Sequence, residues 1–368
     1  MGLDAGRRRC SQRGILRSSI SIILVRLNKT EPSRSGECIR GVQLGTLMRV
    51  VFRGQVFEAE LTELAQRRKL DFFVANDEQE LLAALPAADA LWITPTYYSA
   101  AIPQAVKGNR GSLKWIGLTS AGYDVLLRAG VPPAVTMTYA IHVHGPAVAE
   151  HAVALLLALL RQLPRAFAAQ TQGVWDAPAM IRTLRSLEDL TVAIVGFGAI
   201  GGGLATRLRP LAKRIIGVSR SGNPDARADA MFPSARLQEA LAQSDAVVLA
   251  VTYNDETRHM IDAAALAAMP ANSLLVNVSR GPVVDGTALH AALVAGKLAG
   301  AALDVTDPEP LPAADPLWKA PGVIITPHIA TFGSIATGQR LADQYDRNLE
   351  RFARGEALEG EIVLPPLL

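Results

Sequence analysis

The chain has 368 residues, 49% hydrophobic and 19% charged, enough apolar material for one large or two ordinary domains and too much for a disordered tail. Only 5% of it is aromatic, which argues against a nucleic-acid binder built on base stacking. The formal charge of +3 is unevenly spread, since residues 1–47 hold nine basic and three acidic side chains whereas the rest holds 28 against 31.

Both cysteines, Cys10 and Cys38, fall in that basic segment, so the body has no means of forming a disulfide, a thiolate nucleophile or a Cys-ligated metal site, and no metal is expected. Residues 1–47 read as an extension. Their Arg- and Ser-rich, acid-poor make-up is that of an organellar transit segment. A start assigned too early, with Met48 as the initiator, accounts for them more simply, and a chain beginning at Met48 is then expected to be soluble and active. The apolar run Ile20–Val25 is too short for a secretory signal, and no segment elsewhere reaches the roughly 18 apolar residues of a membrane span.

From Met48 short apolar strands alternate with helical stretches. Strands are expected at Met48–Phe52, Phe72–Ala75, Ala90–Ile93, Trp115–Leu118 and Val135–Tyr139, with helices such as Phe57–Arg68 and Glu78–Leu85 between them. A second series places strands at Val192–Val195, Ile215–Val218, Ala246–Val251, Leu274–Val278, Gly300–Asp304 and Val323–Thr326. Such alternation predicts two Rossmann-like or flavodoxin-like α/β domains, each a doubly wound parallel sheet, with a cleft between them. An apolar helix over 148–163, preceded by Pro146 at its first turn, joins the two series; it is either a core helix or part of a subunit interface. The last helix, Ile335–Arg354, should pack back on the first domain. The expected division is 48–145 plus 335–368 for one domain and 146–334 for the other.

The run VAIVGFGAIG, 192–201, is a strand entering G-x-G-x-x-G. Gly196 permits the tight turn, Gly198 lets a pyrophosphate approach the backbone, and Gly201 lets helix and strand pack closely, with Ala199 and Ile200 on the intervening turn. A helix over Leu204–Leu211 is expected to follow and to aim its N-terminus at the phosphates. A carboxylate at the end of the second strand would bind the adenosine ribose, yet Ser219, Arg220 and Ser221 stand there. Arg220 would attract a 2′-phosphate and the serines could donate to it, so NADP is the expected cofactor, with NAD the alternative.

Three further segments, 274–285, 299–311 and 323–330, each place a polar residue just beyond an apolar strand: Arg280, Glu309 and His328. Each alone reads better as a surface or loop residue. In a doubly wound sheet, however, the strand ends gather at one edge, which can bring a cation, a carboxylate and an imidazole to one crevice.

On these motifs, in this order, the chain from Met48 onward resembles the D-isomer-specific 2-hydroxyacid dehydrogenases, of the glyoxylate/hydroxypyruvate reductase kind. The matching stretches are VAEHAVALLLALLR, GFGAIG, Glu256-Thr257, VNVSRGPVVD, ALDVTDPEPL and TPHIA, with a looser match at KWIGLTSAGYDVL. The resemblance implies that Arg280, Glu309 and His328 are catalytic. It also puts Thr252, Thr257, Val278 and Asp304 at the cofactor and the Ser120-Ala121-Gly122 turn at the substrate carboxylate. It further implies a cytoplasmic homodimer acting on a small D-2-hydroxy or 2-oxo acid, without nucleic-acid or membrane partners. Ser219, where the family usually has an acid, departs from the pattern, as does Thr252, where a proline is common. Reduction would put a hydride on the carbonyl carbon, with His328, held by Glu309, protonating the oxygen and Arg280 clamping the carboxylate. Tyr97 and Tyr98 are candidates to line the side-chain pocket, or simply pack their loop. The alternatives are a dehydrogenase for a bulkier 2-oxo acid and a non-enzymatic cofactor sensor on the same fold.

Overall fold

The computed structural model describes residues 47–108, 112–132 and 134–363. Apart from Leu47, the expectations for residues 1–47 lie outside them. In chain order the elements are β1 (Arg49–Arg53), α1 (Glu58–Arg68), β2 (Asp71–Val74), α2 (Glu78–Ala84), β3 (Ala90–Ile93), α3 (Ala101–Gly108), β4 (Trp115–Leu118), α4 (Asp124–Ala129) and β5 (Thr136–Thr138). Then follow α5 (Gly145–Leu160), α6 (Leu163–Thr171), α7 (Ala177–Ile181), β6 (Thr191–Val195), α8 (Ala199–Leu208), β7 (Arg214–Ser219), β8 (Ala230–Pro233), α9 (Leu237–Leu241) and β9 (Ala246–Leu249). The chain ends with α10 (Ala263–Ala268), β10 (Ser273–Asn277), α11 (Gly286–Val294), β11 (Leu298–Leu303), β12 (Val323–Ile325) and α12 (Ile335–Arg354).

The strands form two sheets, ordered β2-β1-β3-β4-β5 and β12-β11-β10-β9-β6-β7-β8. Every pairing within them is parallel. The central strands β3, β4, β9 and β10 are buried at every position, as parallel strands covered on both faces must be. Both sheets are doubly wound, and their order reverses between β1 and β3 in one and between β6 and β9 in the other. These reversals open crevices beyond the strand ends.

Helix α8 and strand β8 differ from expectation, and the helix expected over 148–163 ends at Leu160, with α6 starting afresh at Leu163. Helix α8 begins at Ala199, directly after Gly198, and not at Leu204, because the buried Gly201 and Gly202 let its first turn press onto the sheet. It stops short of Leu211 because Pro210 has no N–H to continue the ladder. Strand β8 was not anticipated: Pro233 argues against a strand, but β8 is an edge strand pairing with β7 alone, where a missing donor is tolerated.

Helix α12 returns to the first sheet. Its Tyr345 ring lies 4.7 Å from that of Trp92 and 5.5 Å from that of Trp115, and its Asp346 and Glu350 pair with Arg67 and Arg68 of α1. Helix α5 is a core helix, burying Ala152, Leu156 and Leu160 against the second sheet and α8. No single helix among the described residues is long and apolar enough to cross a membrane.

Candidate active site at the facing strand ends

The turn after β6 is built by its glycines. Gly196 has φ 96°, and a Cβ there would lie 2.5 Å from the Ala250 backbone. At Gly201 a Cβ would fall 1.9 Å from the Gly196 carbonyl, so helix and strand meet only because both positions are bare. Gly198, the N-cap of α8, is different: a Cβ there would meet nothing within 4 Å, and no side chain caps the helix. An open cradle beneath uncapped N–H groups, with Ala199 and Ile200 on the first turn, fits a dinucleotide pyrophosphate.

At the end of β7, the Ser219 hydroxyl accepts from Gly222 N at 3.0 Å and the Ser221 hydroxyl from Asn223 N at 3.4 Å, which folds the turn and leaves Arg220 exposed. A second cation that sequence reasoning missed lies close by. Arg227 is held bidentately by Asp225, at 2.8 and 2.6 Å, and its guanidinium covers Gly202 and stands 5.6 Å from the Phe197 ring centroid. That ion pair keeps the Asp225 carboxyl well below the usual range, at about 2. Across the crevice the Thr257 hydroxyl donates to the Thr252 carbonyl at 2.9 Å, bracing the loop after β9, while Val278 is buried at the end of β10.

Two of the catalytic candidates from the second sheet, Glu309 and His328, meet. Glu309 Oε1 and His328 Nδ1 are 2.5 Å apart, and both side chains are about two-fifths exposed. His328 has φ 53°, a left-handed conformation secured by its own N–H, which reaches the carbonyls of Asp304 (2.8 Å) and Thr326 (3.0 Å). Asp304, 2% exposed, anchors the whole loop. It accepts from Thr326 Oγ1 at 2.7 Å and from the N–H groups of Ile329 and Ala330 at 3.0 and 3.1 Å, and it faces His151 Nε2 of α5 at 3.3 Å. Burial pushes its carboxyl up, but these donors outweigh burial and hold it below the usual carboxylate range. Asp304 thus sets the pose of His328. The AEH stretch that contains His151 was visible in the sequence, but its link to residue 304 was not.

Arg280 reaches across to the first domain. Its Nη1 donates to the Ser279 carbonyl at 2.7 Å and its Nε to Asp124 at 3.2 Å, and its Nη2 lies so close to Gly122 that a Cβ there would be 1.9 Å away. The turn it touches, Ser120-Ala121-Gly122, makes no backbone N–H hydrogen bond among the described residues, which leaves those donors open to a carboxylate. Beneath this turn the buried His144 binds the Thr119 carbonyl through Nε2 at 2.8 Å, and burial lowers its pKa. The two tyrosines part company. Tyr98 is buried, its hydroxyl donating to the Gly130 carbonyl at 3.1 Å, so it belongs to the core. Tyr97 stays half-buried at the edge under the Arg53 guanidinium. Asp124 and Arg53 carried no sequence signal as site residues, since each acquires its place only through topology. Among the described residues no cluster of His, Cys, Asp and Glu is suited to a metal ion.

Comparison with known proteins points to one family. Residues 153–330 match the family model described as D-isomer specific 2-hydroxyacid dehydrogenase, NAD binding domain. A glyoxylate reductase of Pyrococcus furiosus is 33% identical over 296 residues, covering 79% of this chain and 84% of the relative. The mouse glyoxylate reductase/hydroxypyruvate reductase is 33% identical over 258 residues, covering 69% and 78%. A crystal structure of a D-isomer specific 2-hydroxyacid dehydrogenase family protein from Aeromonas salmonicida superposes with a TM-score of 0.77 at 30% identity, covering 86% of this chain and 99% of that one.

Proposed function

This chain belongs to the D-isomer-specific 2-hydroxyacid dehydrogenase family, and on that premise we propose that it reduces a small 2-oxo acid to the D-2-hydroxy acid with NADP(H) in preference to NAD(H). Glyoxylate and hydroxypyruvate, the substrates in its relatives' names, are the reference acids. The observation that carries the reading is the Glu309–His328 contact at 2.5 Å on the same cleft as Arg280 and the bare Ser120–Gly122 turn. The nicotinamide, when bound, supplies the hydride. The substrate carboxylate sits between Arg280 and the turn's N–H groups, with the charge-assisted contact orienting the carbonyl. With Nδ1 engaged by Glu309, His328 presents Nε2 to the carbonyl oxygen and delivers the proton that the developing alkoxide needs.

The NADP preference is supported by the absence of an acid at Ser219 and by the exposed Arg220 beside it, with Arg227 within the same loop. Residues 48–145 with 335–368 form the substrate domain in this reading and 146–334 the dinucleotide domain. A homodimer is supported by the segment after α5, where Phe167, Val174, Trp175 and Ile181 stand exposed, Trp175 at 93%. We place the enzyme in the cytoplasm, beside the nicotinamide pool it draws on. Initial rates with each acid and each cofactor test the proposal. Turnover of glyoxylate or hydroxypyruvate with a higher kcat/KM for NADPH is expected, and a clear NADH preference overturns the cofactor assignment.

A further inference from the structure

The first sheet opens its own crevice where its order reverses between β1 and β3. Arg53, the last residue of β1, and Tyr97, which closes the turn after β3, stand at that edge. The Arg53 guanidinium lies 4.1 Å from the Tyr97 ring centroid, a cation–π contact that fixes its plane. Its one hydrogen bond among the described residues runs from Nη1 to the Ala75 carbonyl at a long 3.3 Å. A guanidinium carries five N–H donors, so most of this one's capacity is unspent. The neighbouring acids are engaged elsewhere: Glu80 accepts from Asn76 N at 2.8 Å and Glu78 from the Ser99 hydroxyl at 2.5 Å. A half-buried, stacked arginine without a carboxylate partner among the described residues, on the edge that also carries the carboxylate turn, is arranged to receive an anion.

Residues Ser120–Gly122 follow β4, and β1 and β4 are separated by β3 alone, so Arg53 and the carboxylate turn stand on one edge of the same sheet.

We infer that Arg53, oriented by Tyr97, binds a second carboxylate at the far end of the substrate, so that the preferred substrates are short 2-oxo dicarboxylic acids. This rests on the proposed 2-oxo acid reductase activity, because it uses the same turn and Arg280 for the near carboxylate. The two arginines then neutralise the two charges of the substrate, one from each side of the cleft.

Initial rates of NADPH oxidation by the full chain with oxaloacetate, 2-oxoglutarate, glyoxylate and hydroxypyruvate test it, together with the Arg53→Gln and Arg53→Lys variants. At least one diacid should exceed glyoxylate by tenfold or more in kcat/KM. Arg53→Gln should lower diacid kcat/KM by about 10- to 100-fold, mainly through KM, as expected for hydrogen bonds to a charged group. It should change glyoxylate kcat/KM by less than about twofold, and Arg53→Lys should keep part of the diacid preference. Diacids no better than glyoxylate in the parent protein overturn the inference whatever the variants do, as does an equal loss on both substrate classes. No turnover of any acid, glyoxylate included, overturns the underlying reductase reading and this inference with it.

Discussion

The two sheets meet at their strand ends but contribute to the site in different ways. On the second sheet each candidate site residue follows its strand within a contiguous motif: Gly196–Gly201 after β6, Arg280 after β10, Glu309 after β11 and His328 after β12. On the first sheet the residues at the edge come from unrelated positions: Arg53 at the end of β1, Tyr97 after β3 and Asp124 after β4. The chemistry common to all substrates needs a few groups in one fixed geometry, which short motifs at strand ends can specify. Recognition of one substrate needs a shape, which dispersed residues of a second sheet assemble. Breaking the second sheet's edge should therefore abolish turnover, whereas changing the first should redirect it.

The largest effect expected is at His328. His328→Ala removes the proposed proton donor and should lower kcat by about 10²- to 10⁴-fold. NADPH affinity, read by fluorescence titration, should stay the same because the residue is no part of the Gly196–Gly201 turn. Near-normal turnover would remove His328 from the mechanism. Next come the glycines of that cradle, which separate packing from binding. Gly201→Ala puts a Cβ 1.9 Å from the Gly196 carbonyl and should destabilise the fold by about 3 kcal/mol, read by denaturant unfolding. Gly198→Ala meets no protein atom within 4 Å, so the melting temperature should hold while NADPH affinity falls about tenfold, roughly 1.4 kcal/mol. Equal stability losses for the two would refute the division.

A smaller, pH-dependent effect is expected at Asp304, which holds the catalytic loop. Its carboxyl is held below the usual range in the folded protein, whereas an unfolded aspartate titrates near about 3.9. Its stabilisation is therefore complete above the unfolded value and is lost as pH falls through the lower, folded value. Asp304→Asn should cost about 2 kcal/mol at pH 7, because a neutral amide cannot replace the charge-assisted contacts. The gap between parent and variant, followed by thermal melting, should narrow below about pH 4. A gap constant from neutral pH to pH 3 would show that the charge of Asp304 contributes nothing.

Much of this was legible in the sequence because parallel strands buried on both faces read as short apolar runs and because the motifs sit directly after them. The doubly wound class, the G-x-G-x-x-G turn and the meeting of Glu309 with His328 all follow from local pattern plus one topological rule. What escaped depends on distance in space. The contacts of Asp304 with His151 and of Arg280 with Asp124 join residues more than a hundred positions apart. Tyr97 and Tyr98 are adjacent in sequence, and only the fold sends one to the core and the other to the edge. The start of α8 was misjudged because consecutive glycines read as loop, whereas close packing on the sheet favours them inside this helix.

The smallest effect expected concerns the first sheet alone and tests whether its core is independent of its edge. Tyr345 is fully buried between Trp92 and Trp115, and its hydroxyl has no hydrogen-bond partner among the described residues. Burial without a partner drives its pKa well above the usual tyrosine value, so the group is neutral throughout the working range. A buried, unpaired hydroxyl opposes folding, because it leaves water without gaining a bond. The oxygen also crowds the sheet, since a Cβ at Gly117 would lie 2.9 Å from it. Tyr345→Phe keeps the ring and its aromatic contacts while removing the oxygen, and should stabilise the protein by about 1 kcal/mol in denaturant unfolding. Because Tyr345 faces the interior and not the cleft, kcat/KM should stay the same for monoacids and diacids alike. A gain in stability with unchanged specificity would place the first sheet's selectivity in Arg53 and Tyr97 at its rim. A change in the diacid-to-monoacid ratio would mean that the aromatic core sets the spacing of that rim.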